Sequence, residues 1–414
     1  MKLAGGTSSR PSLAPSAHPV RLLTLTTLFP SCIQPRHGIF IATRLRRLCD
    51  SGRVTSTVIA AIPRFPGAYR HLADVPEVEN IGGFRVFHPR YRNIPGVGMR
   101  LQPRTLAASL LAELARRNLD SHAFDVVDAH YCYPDGVAAA SVADALGLPL
   151  VISARGSDIN LIGGIEFAKR SMVAAARSSA ALIAVSQALS DKMTALGMPS
   201  DRIHVLRNGV DLNLFSLFPR QEARAIVDID RSGPLVIGVG NLVPEKGFDL
   251  LIRAVSQLPE ANLLLVGDGP ELRRLKALAD TVAPGRVQFR SSMPQAELRM
   301  VYAAADVLGL PSLREGWPNV VLEAMACGTP VLASDVGGVP EMLTAGCPGI
   351  VASDRSVRTW SAGIASLIAA AFAPEVVRDH AAAFGWDEVI TKQCALYEGI
   401  VRRAHARSPE HQDG

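Results

Sequence analysis

The chain has 414 residues, of which 48% are hydrophobic and 20% are charged, a composition ordinary for a folded globular protein. This composition excludes a largely disordered chain, a collagen-like chain and a small disulfide scaffold. The formal net charge of +5 is unevenly spread, because residues 1–212 hold 24 Lys and Arg against 15 Asp and Glu, whereas residues 213–414 hold 19 against 23. A basic half is typical of a protein that meets an anionic partner.

The beginning of the chain and its cysteines bear on the compartment. Residues 1–17 are rich in Gly, Ser, Pro and Ala and are expected to be a disordered tail. The first apolar run, Val20 to Phe29, contains threonines and stops at Pro30, so it predicts a buried strand rather than a signal peptide. No window reaches 18 uninterrupted apolar residues, and the six cysteines form no CxxC pair. We therefore expect a cytoplasmic protein with free thiols, at most in peripheral contact with the inner face of a membrane.

Residues 18–212 alternate short apolar runs with segments of helical period. This pattern predicts a parallel sheet with helices on both faces. The predicted strands are Val20–Thr27, Thr57–Ile62, Arg85–Phe87, Val126–Ala129, Leu150–Ser153, Leu182–Val185 and His204–Leu206. The predicted helices are Ile39–Leu48, Thr105–Arg116, Val137–Leu146, Phe167–Ser178 and Gln187–Leu196. The Pro-, Gly- and Arg-rich stretch Pro63–Pro103 interrupts the rhythm and is predicted to be a long loop around one strand.

A second alternating series follows a pause at residues 213–233, which are predicted to be a linker. Its strands are predicted at Leu235–Val239, Asn262–Val266, Val287–Phe289, Val307–Leu310, Val331–Ser334 and Ile350–Ala352. Its helices are predicted at Phe248–Leu258, Glu271–Asp280, Ala296–Ala304, Asn319–Cys327 and Val357–Ala371. Residues 234–385 thus form a second doubly wound domain, followed by an amphipathic helix within 386–405. Two such α/β domains place a ligand in the cleft between them, at the carboxyl ends of the strands.

A glycine-rich turn follows the first strand of the second domain. Gly240 and Asn241 lie in this turn, and Lys246 comes just before the next helix. Backbone N–H groups in such a turn, a helix N-terminus and an ammonium group together favour an anion. Val243 breaks the glycine fingerprint of dinucleotide-binding turns, so an ordinary strand-to-helix turn is the alternative.

Two glutamates border the start of a later helix. Pro318 and Gly328 delimit a helix of about Pro318–Cys327, which leaves Glu315 on the preceding loop and Glu323 on the helix. The N–H groups of residues 319, 320 and 321 between them make an anion site. Carboxylates on either side of a phosphate site suit a sugar nucleotide, one for sugar hydroxyls and the other for ribose hydroxyls. A solvated Glu315 and a surface Glu323 are the alternative.

Two further acidic segments are less specific indicators of function. Gly267-Asp268-Gly269-Pro270 predicts a tight turn at the cleft edge, or a turn selected only for its backbone angles. The Asp228-x-Asp230 pair resembles a metal-binding motif, but its place in the linker predicts a solvated helix end.

Together these residues resemble the retaining glycosyltransferases of family 4, which have the GT-B fold. The most specific part is the Glu315-x7-Glu323 signature followed by Ala324–Val331. Supporting segments are Lys246-Gly247, Gly267–Pro270, Asn208–Asp211 and Ser334–Glu341. The resemblance implies an N-terminal acceptor domain, a C-terminal donor domain and a last helix that crosses back to the N-terminal domain. The N-terminal pattern looks like that of exopolysaccharide and teichuronic-acid type enzymes.

The resemblance implies roles for residues of the donor side. Lys246 would pair with the diphosphate of a UDP- or GDP-sugar, and Glu323 would hold the ribose hydroxyls. Glu315 would hold the sugar and the distal phosphate together with the backbone of Gly316, Pro318, Asn319 and Val320. Asn241 stands where many members have an arginine. Either Arg314 or an N-terminal-domain arginine supplies that charge, or Lys246 and the backbone act alone.

On the acceptor side, His130 corresponds to a family histidine near the transferring carbon. Arg155 replaces the histidine of a His-Gly-x-Asp pattern that ends at Asp158, and its guanidinium would clamp a phosphate. An Arg155–Asp158 pair that only holds the loop is the alternative. The first loop adds Arg36, His37 and Gly38 as further candidates. The catalytic candidates are therefore His130, Glu315, Lys246 and Arg155.

The expected activity is that of a retaining hexosyltransferase in polysaccharide or glycolipid assembly, with no metal and no cofactor besides the nucleotide-sugar co-substrate. A front-face attack is expected, in which a phosphate oxygen accepts the acceptor's proton. A GT-B sugar-nucleotide epimerase and an inactive donor-binding scaffold are the alternatives. The basic half suits an anionic membrane or a lipid-diphosphate acceptor better than nucleic acid, unless arginine merely serves as a general surface cation.

Overall fold

The computed structural model describes residues 18–67, 69–94, 98–229 and 232–407, so the predicted tail at 1–17 and Asp230 lie outside the described residues. The strands are β1 Val20–Thr26, β2 Val54–Ala60, β3 Ile62–Arg64, β4 Val78–Ile81, β5 Phe84–Phe87, β6 Arg90–Arg92, β7 Val126–His130, β8 Leu150–Ser153, β9 Ala181–Ala184, β10 Ile203–Val205, β11 Leu235–Val239, β12 Asn262–Val266, β13 Val287–Arg290, β14 Val307–Leu310, β15 Val331–Ser334 and β16 Gly349–Ala352. The α-helices are α1 Ile39–Asp50, α2 Gln102–Arg116, α3 Val137–Leu146, α4 Ser157–Asn160, α5 Glu166–Ser178, α6 Gln187–Ala195, α7 Arg220–Ile226, α8 Phe248–Ser256, α9 Leu272–Val282, α10 Gln295–Ala304, α11 Asn319–Ala326, α12 Val339–Met342, α13 Val357–Ala370, α14 Pro374–Ala382 and α15 Trp386–Arg407.

The N-terminal sheet has the order β10-β9-β8-β7-β1-β2-β5-β4 and is parallel except for β4, which is antiparallel to β5. The chain builds outward from β1 in both directions, so the strand order reverses between β1 and β7. Ligands bind at such a reversal, beyond the carboxyl ends of the strands. His130, the last residue of β7, therefore lies at the place where this fold binds ligands.

The C-terminal sheet is fully parallel and has the order β13-β12-β11-β14-β15-β16. All residues of β11 are buried, as expected of a strand covered by helices on both faces. Here the order reverses between β11 and β14. The two predicted doubly wound domains are confirmed.

The last helix, α15, packs on the N-terminal domain although it follows the C-terminal one. Its buried positions Trp386, Ile390, Cys394 and Tyr397 follow a helical period and share a core cluster with Leu45 of α1. The predicted return of the last helix is confirmed.

The prediction of a long loop around one strand is wrong for Pro63–Pro103. In the described part of this segment β4 and β5 form a hairpin, and β3 pairs with β6 in a separate small parallel sheet. Strands of three or four residues are too short to show an alternating pattern in the sequence. Helix α14 in the second domain was also not predicted.

In the described ranges, no single helix is long and apolar enough to cross a membrane. Helices α13 and α14, which meet at a bend of 110°, would pass the same test of length and composition only as a pair. All six cysteines are free thiols.

Candidate active site

Two turns stack on each other at the carboxyl edge of the C-terminal sheet. Gly240 and Asn241 follow β11, and Gly267 to Gly269 follow β12. A Cβ atom on Gly267 would lie 1.9 Å from the carbonyl oxygen of Gly240, so only glycine allows this approach. The N–H of Leu242 donates to the carbonyl of Asp268 at 2.8 Å. The two predicted donor turns are thus one unit at the edge of the cleft.

Lys246 and Glu315 are in direct contact. Lys246 ends the short 3-10 turn before α8, and its stem passes over Gly240, where a Cβ would lie 3.5 Å from the lysine Cε. Its Nζ lies 2.6 Å from Oε1 of Glu315, and the Ser312 hydroxyl donates to the same oxygen at 2.6 Å. The lysine from beyond β11 and the glutamate from beyond β14 therefore meet where the strand order reverses.

Helix α11 begins beside this pair. Pro318 is its N-cap and Asn319 its first residue, within one residue of the predicted starts. The N–H of Val321 donates to the carbonyl of Pro318 at 3.1 Å, which leaves the amides of Asn319 and Val320 from the predicted set of three. These amides lie at the positive end of the helix dipole, where an anion is favoured. Gly316, on the loop before α11, accepts from the N–H of Gly338 at 3.0 Å.

Glu323 lies inside the domain and is only 7% exposed, which contradicts the alternative of a surface Glu323. The Tyr302 hydroxyl donates to its Oε2 at 2.9 Å, and the Gln295 amide donates to its Oε1 at 3.1 Å. Burial raises the pKa of Glu323 to about 7, because the charged form loses hydration. Both carboxylate oxygens are thus held in place from one side.

His130 is 2% exposed, with Nδ1 hydrogen-bonded and Nε2 at ion-pair distance from a carboxylate. Its Nε2 lies 2.9 Å from Oδ2 of Asp128, and its Nδ1 lies 2.6 Å from Nη2 of Arg155. A guanidinium only donates, so Nδ1 accepts and the ring proton resides on Nε2, facing Asp128. Burial lowers the pKa of His130, which favours this neutral form.

Arg155 points its guanidinium to His130 and not to Asp158. The buried Asp158 carboxylate accepts backbone N–H groups of Cys132, Arg155 and Gly156 at 2.8, 3.1 and 2.8 Å. Asp158 therefore shapes the turn through the backbone. Within the described residues, Nε and Nη1 of Arg155 are buried and have no hydrogen-bond partner. The guanidinium therefore has one protein acceptor, Nδ1 of His130, among its described contacts, and it packs over the Phe40 ring.

The Arg155 turn touches the Glu315 loop across the domain boundary. A Cβ on Gly316 would lie 2.6 Å from the carbonyl oxygen of Arg155, and one on Gly156 would lie 3.0 Å from Cα of Gly316. The Asn160 side chain donates to the carbonyl of Glu315 at 3.2 Å. The loop of Glu315 and the turn of Arg155 therefore meet at the domain boundary, with His130 buried behind Arg155.

The first N-terminal loop also reaches the donor side. Arg36 Nη2 lies 3.6 Å from Oδ2 of Asp268, across the cleft. His37 Nε2 lies 3.1 Å from the carbonyl of Thr27, and burial lowers the pKa of His37. Gly38 precedes α1 with its backbone against the carbonyl of Leu28.

Arg314, one candidate for the charge that Asn241 lacks, is engaged elsewhere. Its Nη2 contacts Oε1 of Glu245 at 3.1 Å. In the described chain no group of three or more His, Cys, Asp or Glu is placed to hold a metal ion.

Sequence reasoning missed several groups of the site. Asp128 was detectable, because it lies two residues before His130 and thus on the same face of β7. Tyr302 and Gln295, which hold Glu323, come from another helix and leave no local signal. Asn208 lies in a segment that supported the resemblance, but no role was predicted for it; its amide donates to the side-chain oxygen of Asn319 at 3.1 Å.

Comparison with known families covers most of the chain. The model described as Glycosyltransferase Family 4 matches residues 38–214, and the model described as Glycosyl transferases group 1 matches residues 219–381. The TuaC protein of Bacillus subtilis (strain 168), named for teichuronic acid biosynthesis, is 32% identical over 340 residues, which cover 78% of this chain and 83% of TuaC. D-inositol 3-phosphate glycosyltransferase 1 of Catenulispora acidiphila is 30% identical over 427 aligned positions, covering 94% of this chain and 98% of that protein.

Solved structures share the fold at lower identity. Sucrose-phosphate synthase from Thermosynechococcus elongatus superposes with a TM-score of 0.75 at 20% identity and covers 93% of this chain and 100% of its own. Anabaena HepE in complex with UDP and glucose gives a TM-score of 0.72 at 22% identity and covers 92% and 100%. At these identities the likeness concerns the fold.

Proposed function

Since the chain belongs to the GT-B glycosyltransferases of group 1 and family 4, we propose that it moves a hexosyl group from a UDP- or GDP-sugar to an acceptor hydroxyl with retained configuration. The observation that carries this proposal is the contact of Lys246 with Glu315 at the start of α11, opposite Arg155. A cation, a carboxylate and free helix amides in one place suit a sugar diphosphate.

The donor would lie along the carboxyl edge of the C-terminal sheet. Its diphosphate would displace Glu315 from Lys246 and meet the amides of Asn319 and Val320. Glu315, once released, would accept hydrogen bonds from the sugar. The ribose hydroxyls would reach Glu323, whose carboxylate Tyr302 and Gln295 already fix. The complexes of HepE with UDP and glucose support this class of donor.

The barrier to transfer lies in charge separation, because the bond from the anomeric carbon to the phosphate oxygen breaks before the new bond is complete. Its electron pair leaves with the diphosphate, which Lys246 and the α11 amides stabilise. The two N–H donors of Arg155 that have no protein partner would also stabilise the departing diphosphate, from the other domain. The acceptor oxygen attacks from the same face, and its proton passes to an oxygen of the departing phosphate. These protein groups would make a metal ion unnecessary.

The acceptor is proposed to be a saccharide or a lipid-linked saccharide, used in polysaccharide or glycolipid assembly at the cytoplasmic face of a membrane. The name of TuaC supports a role in polysaccharide assembly. A basic surface supports the membrane contact, because Arg92, Arg100 and Arg104 are exposed. The neighbouring side chains of Ile94 and Leu101 are 40% and 51% exposed, and such an apolar and cationic mixture suits an anionic bilayer.

The test is a donor panel of UDP-, GDP- and ADP-sugars, incubated with and without lipid-diphosphate acceptors. The proposal predicts nucleotide release that depends on acceptor for one donor class. A changed sugar without any acceptor would instead identify an epimerase. Donor binding without transfer to any acceptor would identify a binding scaffold, and either result would overturn the proposal.

A further inference from the structure

A chain of buried hydrogen bonds links the returning helix α15 to Asp128, the carboxylate that lies against His130. The Tyr397 hydroxyl donates to Oδ1 of Asp128 at 3.0 Å, and the Gln393 amide donates to that hydroxyl at 2.8 Å. Arg44 of α1 then donates from Nε to Oε1 of Gln393 at 2.6 Å. Arg44, Gln393, Tyr397 and Asp128 are all fully buried. Helix α15 therefore contributes polar groups beneath the cleft as well as apolar packing.

The direction of every hydrogen bond in this chain is fixed. Arg44 has only donors, so the oxygen of Gln393 accepts and its nitrogen donates to Tyr397. The tyrosine proton is then left for Asp128. On the other side of Asp128, Nε2 of His130 lies 2.9 Å from Oδ2 of the same carboxylate, an ion-pair contact without hydrogen-bond geometry. The buried Asp128 carboxylate thus accepts from Tyr397 and lies against His130, whose Nδ1 faces Arg155 as a lone pair.

The other end of this hydrogen-bond chain reaches helix α11. Arg44 Nη1 donates to Oδ1 of Asn208 at 3.2 Å, and Asn208 in turn donates to the side chain of Asn319. The first residue of α11 and the imidazole of His130 are therefore joined through α1 and α15.

We propose that Tyr397 and Gln393 of α15 are positioning residues that hold Asp128 and the Nε2–H form of His130, so that Nδ1 of His130 orients the guanidinium of Arg155 in the cleft. His130 then acts through Arg155 rather than by contacting the sugar. The role of Arg155 in transfer rests on the proposed function, whereas the state of His130 does not.

The charges around His130 make this arrangement sensitive to protonation. Asp128 from β7, Arg155 from the turn after β8, Arg44 from α1 and Tyr397 from α15 all face it. A proton on Nδ1 would add a third cation beside one carboxylate. It would also remove the lone pair that accepts from Arg155. Arg155 should therefore leave its position at acid pH.

The substitution Tyr397→Phe tests the hydrogen-bond chain by removing a single hydroxyl group. Without the hydroxyl, the Asp128 carboxylate loses a donor, and the Asp128–His130 pair takes up a proton at higher pH. We expect kcat at neutral pH to fall about tenfold, the donor KM to change less than about twofold, and the acid limb of the kcat profile to move to higher pH.

The matched control is Tyr91→Phe, which removes a buried hydroxyl that accepts from Gln102 at 3.1 Å. It should lower the melting temperature to a similar degree and leave the pH profile unchanged. An acid limb that does not move in Tyr397→Phe would show that Tyr397 is merely structural and would overturn the proposal.

A second measurement does not need the transfer reaction. ¹⁵N NMR of the histidine rings in the free protein, with the His130 signals identified by their loss in His130→Gln, reports the tautomer directly. We expect the Nε2–H tautomer at pH 7 in the wild type. An Nδ1–H tautomer or an imidazolium would overturn the positioning role, even if the protein proves to be an active transferase. Absence of transfer together with the Nε2–H tautomer would instead count against the proposed function alone.

Discussion

The ammonium of Lys246 is the charge that the proposed donor site depends on most. Replacing it by the nearly isosteric methionine keeps the stem over Gly240 and removes the charge. A hydrogen bond to a charged group contributes about 1.5–3 kcal/mol, so Lys246→Met should weaken binding of the donor nucleotide about 10- to 100-fold. Titration calorimetry with UDP and GDP measures this. Lys276→Met on α9 is the control and should bind as the wild type does; an unchanged dissociation constant in Lys246→Met would remove the lysine from the site.

Glu323 should make donor affinity depend on pH, because burial raises the pKa of its carboxyl group to about 7. Above that pH the carboxylate accepts hydrogen bonds from ribose, and below it a proton occupies one acceptor position. Donor affinity should therefore fall as pH decreases through about 7, by at most about tenfold per pH unit. Fluorescence or calorimetric titrations between about pH 5.5 and 8.5 measure the slope.

The control for this pH effect is Glu323→Gln, which keeps the shape of the side chain and has no proton to gain. Its donor affinity should be lower than that of the wild type at pH 8 and nearly independent of pH. A wild-type slope that persists unchanged in Glu323→Gln would assign the titration to another group.

Between elements, the closest approach across the cleft is that of the Arg155 turn to the loop before α11. A methyl group at residue 316 would lie 2.6 Å from the carbonyl oxygen of Arg155, so Gly316→Ala must separate the two loops. We expect kcat to fall about tenfold or more, since overpacking costs about 1–3 kcal/mol, and the radius of gyration from X-ray scattering to increase. Gly164→Ala is the control, because nothing lies within 4 Å of its added methyl. Wild-type kcat in Gly316→Ala would show that the contact is irrelevant to transfer.

The regular elements were well predicted from the sequence, and the reason is local. The buried strands of the second sheet are continuous apolar runs, and α11 is delimited by Pro318 before it and Gly328 after it. The position of Glu315 on the loop before that helix follows from the same pattern, whereas the order of the strands in the sheet was not predicted. Of the short strands around Pro63–Pro103, β5 was predicted at Arg85–Phe87, whereas β3, β4 and β6 carry no such period and were missed.

The contacts that complete the site were beyond local reasoning. Lys246 and Glu315 are 69 residues apart and meet through the strand order of the second sheet, whereas Asp128 and Tyr397 are 269 residues apart and meet because α15 packs on the first domain. The burial of His130 and the free donors of Arg155 likewise arise only in the assembled structure. Residue types at strand ends pointed to the right region without fixing which atoms meet.

Across the whole molecule, fewer arginines of the N-terminal half are free to face an anionic partner than the count of charged residues suggests. Arg44 is buried within a hydrogen-bond chain, and Arg47 pairs with Asp211. The exposed arginines at 92, 100 and 104 remain for an anionic surface. The arginine-rich half is therefore partly an internal feature of the N-terminal domain.

Membrane contact is predicted to depend on those three arginines. The protein should sediment with vesicles that contain phosphatidylglycerol and not with pure phosphatidylcholine, and salt should weaken the binding. Changing Arg92, Arg100 and Arg104 to serine should abolish it. The control triple, Arg253, Arg273 and Arg358 to serine, removes the same charge from the second domain and should bind as the wild type does. Absence of binding to every vesicle would mean that these arginines are ordinary surface cations.

We propose above all that the two domains together carry out glycosyl transfer across one cleft. It is tested most directly by a mass balance on a single reaction, with ³¹P NMR for the released nucleoside diphosphate and ¹H NMR for the anomeric proton of the product. We expect one glycosylated acceptor for each nucleotide released, with the anomeric configuration of the donor. In Glu315→Gln, both the nucleotide signal and the product signal should be lost. Nucleotide release without glycosylated acceptor, or a product of inverted configuration, would contradict it.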